Sequence, residues 1–221
     1  RADGSSMVGK DHTWGIFPSI SATWDMKKES FLRNNKSISL LNLRTGYGRS
    51  GNLGGISSYL TLRQYIPVGL ISYNGTPTVT MGTLRNSNPD LRWETRSTFN
   101  IGTDLGLFNN RLLLTAEYYY SKTTDMLYEY DVPVPPFAFD KLLANIGSMS
   151  NSGFELGIGI VPISKKDMEL NVNINMAWQK NKLLSLNGKL NGRDMTASDI
   201  TPIGGMNGAG FHGGYNNIIY Q

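Results

Sequence analysis

The sequence predicts an all-β fold, namely an antiparallel meander of long strands that forms a segment of a large transmembrane β-barrel. Apolar and polar residues alternate over six segments, whereas the helical spacing of i, i+3, i+4 and i+7 fits almost nowhere. The connections between these segments are alternately short and long. No stretch of the 221 residues approaches the roughly 20 continuous apolar residues of a transmembrane helix, so any crossing of a bilayer must use strands.

The first two predicted strands cover residues 14–25 and 41–47. In an extended chain successive side chains point to opposite faces, so alternation places the apolar residues on one side. These residues are Trp14, Ile16, Ile20, Ala22 and Trp24 in the first strand and Leu41, Leu43 and Tyr47 in the second. Ser, Thr, Asn and Arg occupy the other side. Each strand is therefore predicted to have one apolar and one polar face.

The third and fourth predicted strands, at residues 92–107 and 112–121, form a hairpin. Asn109 and Asn110 make a short polar link between them, which is a hairpin signal. The apolar positions are Trp93, Phe99, Ile101, Leu105 and Leu107, followed by Leu112, Leu114, Ala116, Tyr118 and Tyr120. Charges of both signs fall on the opposite face.

The fifth and sixth predicted strands, at residues 153–162 and 169–181, have the clearest alternation. Their apolar positions are Phe154, Leu156, Ile158 and Ile160, followed by Leu170, Val172, Ile174, Met176 and Trp178. Gly and Asn dominate the other face. In a barrel the apolar residues are expected to face lipid, and the Gly and Asn residues are expected to face the lumen.

The connections are short at residues 27–37, 109–110 and 164–167, and long at 50–90, 131–149 and after Leu186. Loops longer than about 12–15 residues are uncommon in compact soluble domains. Outer-membrane barrels, in contrast, have short periplasmic turns and long extracellular loops. The alternative is a soluble β-sandwich that acts as a surface binding or adhesion module. Its strands average about 5–6 residues, whereas these approach the roughly 9–11 that cross a bilayer.

Aromatic residues near the strand ends suit the girdles of a membrane barrel. They are Trp14, Trp24, Trp93, Trp178 and the cluster Tyr118 to Tyr120.

The composition excludes several classes of protein. Only 17% of the residues are charged, and the net charge of +4 comes from scattered basic residues, which argues against nucleic-acid binding. The absence of Cys excludes disulfides, thiolate metal sites and Cys nucleophiles. The two His residues, His12 and His212, lack a second His or a carboxylate at ligand spacing. We therefore expect no catalytic residues, no metal site, no cofactor and no enzymatic activity.

Five motifs follow one another over residues 1 to about 181. They are Arg1-Ala2-Asp3-Gly4-Ser5-Ser6 with Phe17-Pro18-Ser19 and Trp24, Leu43-Arg44-Thr45-Gly46-Tyr47-Gly48 with Gly51-Asn52, Asn88-Pro89-Asp90-Leu91-Arg92-Trp93-Glu94, Tyr118-Tyr119-Tyr120-Ser121-Lys122-Thr123-Thr124-Asp125, and Asn145-Ile146-Gly147 with Asn151-Ser152-Gly153-Phe154-Glu155. In this order and spacing they resemble the SusC/RagA family of TonB-dependent outer-membrane transporters of Bacteroidota.

The resemblance implies an outer-membrane importer of oligosaccharides or peptides that works with a SusD-like surface lipoprotein, with TonB and with outer-membrane lipid. Residues 1–221 would then be a partial barrel domain. We expect the plug domain, the segment that engages TonB and the C-terminal strands to lie outside the chain, which would end within an extracellular loop at Gln221.

Two sets of polar or aromatic residues are candidates for functional roles. The carboxylates of Glu94, Asp104, Glu117 and Glu155 are interpreted as lumen partners of Arg44, Arg92 and Arg96 rather than as an acid-base pair. Aromatic residues among Asn, Gly and Thr in the long loops suit stacking on a sugar or clamping of a peptide. They are Tyr59, Tyr65, Tyr73, Phe137, Phe139, Phe211 and Tyr215, and local packing of the loops is the alternative interpretation.

Overall fold

The computed structural model describes residues 1–186 and, beyond them, the backbone of residues 188–190, 193–195 and 200–201. In chain order the strands are β1 Ala2–Gly4, β2 Trp14–Ile16, β3 Ser19–Asp25, β4 Ile38–Asn52, β5 Tyr65–Tyr73, β6 Thr76–Thr83, β7 Glu94–Leu107, β8 Leu112–Thr124, β9 Leu127–Asp131, β10 Lys141–Asn145, β11 Ser148–Lys165, β12 Met168–Ser185, β13 Gly188–Leu190, β14 Arg193–Met195 and β15 Ile200–Thr201. Two short 3₁₀ helices span Lys10–His12 and Met26–Lys28. Among the described residues, no helix has the length and apolar character needed to cross a membrane.

Six long strands form one antiparallel sheet, which we call the wall. Its order is β12-β11-β8-β7-β4-β3, so every strand pairs with its predecessor among the long strands. This confirms the predicted meander. The turns after β3, β7 and β11 are short and lie at one end, whereas the connections after β4 and β8 are long and lie at the other.

The first predicted strand is wrong as a single element. The structure divides it into β2, which pairs with β1, and β3, which pairs with β4. Pro18 lies in the break and cannot donate a hydrogen bond to a sheet. Phe17 is buried beside Trp93 instead of continuing the alternation.

The register of the wall aligns apolar residues across strands. Leu41, Leu105, Leu114, Ile158 and Ile174 form one continuous row across five strands. We call this side the outward face. No second sheet covers it among the described residues, and Ile174 is 44% exposed, which excludes the sandwich alternative.

The opposite, inward face is polar and contains glycine where bulky side chains need room. A Cβ atom at Gly153 would lie 2.6 Å from the ring of Tyr119, so Tyr119 lies across this position. The prediction that Tyr119 belongs to a girdle is therefore wrong, because its side chain is on the inward face.

Aromatic residues on the outward face gather near the long-loop end. One row aligns Trp178, Phe154 and Tyr118, and the next row toward that end aligns Tyr120, Phe99 and Tyr47. The rings of Trp178 and Phe154 stack with centroids 6.1 Å apart. The expected girdle is thus present. Tyr118, Tyr120 and Trp178 were predicted members, whereas Tyr47, Phe99 and Phe154 were not.

Two predicted girdle residues, Trp14 and Trp93, lie outside the wall. Trp93 packs on Phe17 with ring centroids 5.5 Å apart, and Trp14 belongs to the small sheet of β1 and β2. The fourth tryptophan, Trp24, is on the outward face near the short-turn end of β3, where its ring N–H donates to Glu29.

The long-loop end of the wall carries an ordered structure that we call the cap, formed by residues 1–18, 53–93 and 125–147. Its strands β9 and β10 pair with each other, and an apolar cluster packs against each face of the resulting sheet. The Tyr130 cluster on one face comprises Met126, Tyr128, Tyr130, Val132, Leu142, Ala144 and Ile146, together with Leu186. The Leu91 cluster comprises Val8, Ile56 and Leu91, and it packs against Leu127 and Leu143 on the other face of this sheet.

Candidate functional site

The cap presents the long loops on a folded support. Tyr130 is fully buried, and its hydroxyl donates to the carbonyl of Ile146 at 3.2 Å. Burial and, to a smaller extent, the neighbouring Tyr128 raise the pKa of the Tyr130 phenol, so it stays neutral and remains a donor. The long connections therefore contain strands and a core of their own, which the sequence prediction of simple loops missed.

The motif residues Arg92, Asp125 and Asn145 meet where the cap joins the wall. The Arg92 guanidinium donates to Asp125 Oδ1 from Nε at 2.8 Å and from Nη2 at 2.6 Å. The Asn145 amide accepts from the backbone N–H of Arg92 at 2.9 Å. It also donates to the carbonyls of Arg92 and Asp125, at 2.7 and 2.9 Å. These residues fasten three segments together and do not form a binding surface.

Two further asparagines fix cap segments that are distant in the chain. Asn88 donates to the carbonyl of Leu143 at 2.9 Å. Asn86 accepts from the backbone of Ala138 and Phe139, at 3.0 and 3.3 Å. It also donates to the carbonyls of Phe139 and Lys141 at 2.6 and 2.8 Å. Residues 86–88 therefore hold the segment that carries Phe139.

The N-terminal segment is fastened to the same junction. The Gly9 N–H donates to the Leu91 carbonyl at 2.7 Å, and a Cβ at Gly9 would collide with the carbonyl of Pro89. Only glycine fits this close approach. The ring contact between Phe17 and Trp93 also brings the first and third motifs of the resemblance together, although they are far apart in the chain.

A cleft of ≈ 270 Å³ lies between the fixed cap segments. Apolar and charged side chains line it together, including those of Leu60, Leu84, Arg85, Phe139, Asp140 and Lys141. Arg85 donates to Gln64 Oε1 at 2.7 Å, and its buried Nε has no hydrogen-bond partner among the residues that the structure describes. Lys141 is paired with Asp131. The cleft combines an aromatic ring with hydrogen-bonding groups.

The aromatic candidates do not form one group in the structure. Tyr65 and Tyr73 lie at the two ends of β5, in an exposed hairpin with β6, and Tyr59 is exposed before this hairpin. Phe139 lines the cleft, 40% exposed. Phe137 instead packs against the Tyr130 cluster, as the alternative interpretation expected. The last two candidates, Phe211 and Tyr215, lie outside the described residues.

The hairpin of β5 and β6 is uncharged, with β5 exposed along its whole length and β6 exposed over most of it. Residues 65–83 contain no Asp, Glu, Lys or Arg. Leu70 and Val79 are opposite each other in the register and are 70% and 53% exposed. A two-stranded hairpin alone is at best marginally stable in water. This hairpin therefore presents exposed apolar side chains that a ligand or partner could contact.

The inward face of the wall contains an ion network on three neighbouring strands. Arg44 Nε binds Asp104 at 2.8 Å, and Arg44 Nη1 lies 3.5 Å from Glu117. This confirms the expected pairing for Arg44. The expected partners of the other arginines are wrong, because Arg92 binds Asp125 in the cap and Arg96 donates to the hydroxyl of Ser121 at 3.1 Å.

Of the other two predicted carboxylates on the inward face, Glu155 lies close to this network and Glu94 lies far from it along the strands. Glu155 is directly opposite Glu117 in the register, beside a hollow of ≈ 450 Å³ that Thr115, Gly157 and Asn175 also line. Glu94 accepts a hydrogen bond from Asn52 at the long-loop end of β7. These groups provide polar surface toward the lumen and no paired acid and base.

Metal-ligating clusters of three or more His, Cys, Asp or Glu are absent from the described residues. His12 belongs to the short helix Lys10–His12 of the cap, and His212 lies outside the described residues.

The sequence matches the family described as TonB dependent receptor-like, beta-barrel, over residues 1–215. It is 35% identical over 197 residues to the TonB-dependent receptor SusC of Bacteroides thetaiotaomicron, covering 85% of this chain and 19% of that protein. It is 32% identical over 188 residues to the TonB-dependent receptor P26 of Formosa agariphila, with the same coverage of 85% and 19%. The chain therefore spans about a fifth of the length of the curated relatives that it matches.

Solved structures agree with these matches. The RagAB peptide importer in its open-open state superposes with a TM-score of 0.73 and 26% identity, covering 90% of this chain and 21% of that chain. The closed-closed state gives a TM-score of 0.70 and 28% identity, covering 82% and 19%.

Proposed function

Because this chain belongs to the TonB dependent receptor-like β-barrel family and is part of an outer-membrane barrel of SusC/RagA type, we propose that it forms wall and extracellular cap of an importer for oligosaccharides or peptides. The importer acts with a SusD-like surface lipoprotein and catalyses no reaction. TonB engages a part of the protein outside these residues, which make up only about a fifth of the matched relatives.

The placement of the cap carries this proposal. Long extracellular loops are held on a folded core, while the inward face below them is lined by Asn, Gly and paired charges. A wide polar lumen favours water and passage, whereas exposed aromatic residues favour contact with a ligand or partner. The name of the RagAB peptide importer supports a peptide as substrate, and the likeness to SusC supports the same type of importer.

We assign the contacts to the exposed aromatic residues of the cap. Tyr59, Tyr65, Tyr73 and Phe139 offer exposed rings beside hydrogen-bonding groups. Phe137 packs against the Tyr130 cluster and so supports the segment that carries Phe139. Phe211 and Tyr215 remain candidates from the sequence.

Removal of the β5 and β6 hairpin from the full-length protein tests this proposal. The structure indicates where to cut, because the Leu84 N–H donates to the Gln64 carbonyl at 3.0 Å and the two ends are already adjacent. Replacing residues 65–83 with a short Gly-Ser turn spares Leu60, which packs on the Leu91 cluster. We expect uptake or lipoprotein association to fall, with barrel assembly and heat-modifiable migration unchanged.

Matched point variants separate aromatic contact from general apolar contact. The triple variant Tyr59→Ser, Tyr65→Ser and Tyr73→Ser should reproduce the defect, whereas Leu70→Thr with Val79→Thr on the same hairpin should retain most activity. Normal uptake and lipoprotein association in the deletion variant would contradict the assignment of function to this part of the cap.

A further inference from the structure

The charged residues of the wall are segregated between its two faces. The register places every carboxylate of the six strands on the inward face, namely Asp25, Glu94, Asp104, Glu117, Glu155 and Glu169. The outward face of these strands therefore has no negative charge. It does have basic residues, and most of them are at one end.

Four of these basic residues form a group that we call the basic row. Lys182, Ser150, Lys122, Ser97 and Arg49 are aligned across five neighbouring strands, β12 to β4. Lys180 lies one outward position below Lys182, level with Tyr120. The basic row thus comprises Arg49, Lys122, Lys180 and Lys182.

Arg49, Lys122 and Lys182 lie immediately beyond the aromatic residues toward the long-loop end, and Lys180 lies level with them. Tyr120, Phe99 and Tyr47 occupy the next outward positions below Lys122, Ser97 and Arg49. Aromatic belts occur at the level of the lipid headgroups, and long loops of such barrels are extracellular. The basic row is therefore at the headgroup level of the outer leaflet.

None of the four basic side chains is neutralised within the described residues. Each is exposed, and none has a side-chain hydrogen bond or an ion pair. Arg44, Arg92 and Lys141, in contrast, all bind carboxylates. Most basic residues of the wall that have no ion pair are thus on its outward face.

We propose that the basic row binds the headgroup phosphates of an anionic glycolipid of the outer leaflet. Adjacent strands are about 4.8 Å apart, so Lys122 and Lys182, which flank β11, are separated by roughly 10 Å. This spacing suits a large headgroup with several anionic groups. A free phosphate ion requires donors that converge on one point, which an open sheet surface does not offer.

The apolar surface below the basic row supports a lipid as the ligand. Phe154, Leu156 and Ile158 continue along the outward face directly beneath Ser152 and can contact the acyl chains. One molecule would thus meet cations at its headgroup and an apolar surface at its chains. The inference does not depend on which substrate is imported.

Native mass spectrometry of the full-length protein in neutral detergent tests the proposal. The probes are lipid A and the same lipid after enzymatic removal of its phosphates, which keeps the acyl chains identical. The variant is Lys122→Gln with Lys182→Gln. The matched control is Lys165→Gln with Lys166→Gln, which removes two charges at the short-turn end. Since each basic residue near an anionic surface strengthens binding several-fold, we expect about tenfold weaker binding of phosphorylated lipid by the variant.

The control should bind like the wild type, and dephosphorylated lipid should bind all proteins equally. The independent variant Arg49→Gln with Lys180→Gln should show a loss similar to that of the first variant. Equal binding of the two lipids by the wild type, or equal losses in variant and control, would overturn the proposal. Displacement of the lipid by inorganic phosphate at an equal concentration would instead reveal a site for a soluble anion and overturn the assignment to lipid.

Discussion

The wall and the cap bury apolar side chains in different places. Every buried apolar residue of the described chain lies outside the six wall strands, for example Leu91, Tyr130 and Ile146 in the cap. The wall directs its apolar residues outward, where Ile174 and Trp178 are exposed in the isolated chain. The cap is thus stabilised by its own core, whereas the wall needs lipid against its outward face. Apolar residues are thus buried inside the protein in the cap and face lipid in the wall.

The largest expected effect is in the cap. Leu91 is fully buried, so Leu91→Ala should lower the stability of the cap by about 2–5 kcal/mol through lost contacts and a cavity. Hydrogen exchange of the full-length protein should show faster exchange for the amides of β9 and β10 and unchanged exchange for the wall. Leu84→Ala, at a position that is 42% exposed, is the control and should have little effect. Equally faster exchange in the wall would show that the two regions unfold as one unit.

The second largest loss of stability is expected in the wall, and it depends on which face carries the substitution. Ile174→Arg places a charge against lipid near the middle of β12, and we expect a cost of about 2–4 kcal/mol. Asn173→Arg is the matched control, because Asn173 is opposite Gly159 on the inward face, where an arginine can extend into water. Denaturant unfolding in lipid vesicles measures both variants. Equal losses for the two would refute the assignment of the faces.

These two regions also differ in how far the sequence predicted them. The alternation in residues 153–162 and 169–181 predicted the strands and their two faces. It could do so because successive side chains point to opposite faces in every β-strand, whatever the size of the sheet. It also predicted the inward position of Arg44 and Asp104. The break at Phe17 and Pro18 escaped detection because the alternation resumes after it with the same parity.

The cap could not be predicted in the same way. Its strands β9 and β10 have only five residues each. Tyr128 and Tyr130 alternate with Glu129 and Asp131 in β9, but an alternation this short does not distinguish a strand from a loop. The junction joins Arg92 to Asp125 and Asn145, residues far apart in the chain whose pairing needs three-dimensional information. The sequence does place Asn145 in a motif with Ile146 and Gly147. This motif does not indicate which residues form hydrogen bonds with Asn145. The exposed hairpin of β5 and β6 was likewise hidden within a predicted loop.

A smaller effect is expected at the junction between the two regions. Asn145 is 6% exposed and makes three hydrogen bonds to the backbone of Arg92 and Asp125. Asn145→Ala leaves buried backbone groups without partners, and we expect a cost of about 1–3 kcal/mol. Proteolysis should then cleave the cap while the wall stays intact. Asn171→Ala is the control, because Asn171 is exposed and bonds only to Glu169. Resistance of the Asn145 variant equal to that of the control would show that other contacts hold the junction.

The smallest loss of stability is expected for a substitution of Arg44, although this residue contacts two carboxylates. Arg44 binds Asp104 and approaches Glu117, yet the three side chains remain 35%, 25% and 29% exposed on the inward face. Water screens such pairs, so Arg44→Gln should cost about 0–1 kcal/mol, less than the loss of the neutral but buried Asn145 amide. The difference from wild type in denaturant unfolding should shrink further at high salt, because exposed pairs are screened. A loss that exceeds that of Asn145→Ala and is independent of salt would mean that the inward face excludes water in the assembled protein. In that case, the assembled protein would exclude water from both faces of the wall. The wall would then bury its side chains as the cap does, and the difference between the two regions would apply only to the isolated chain.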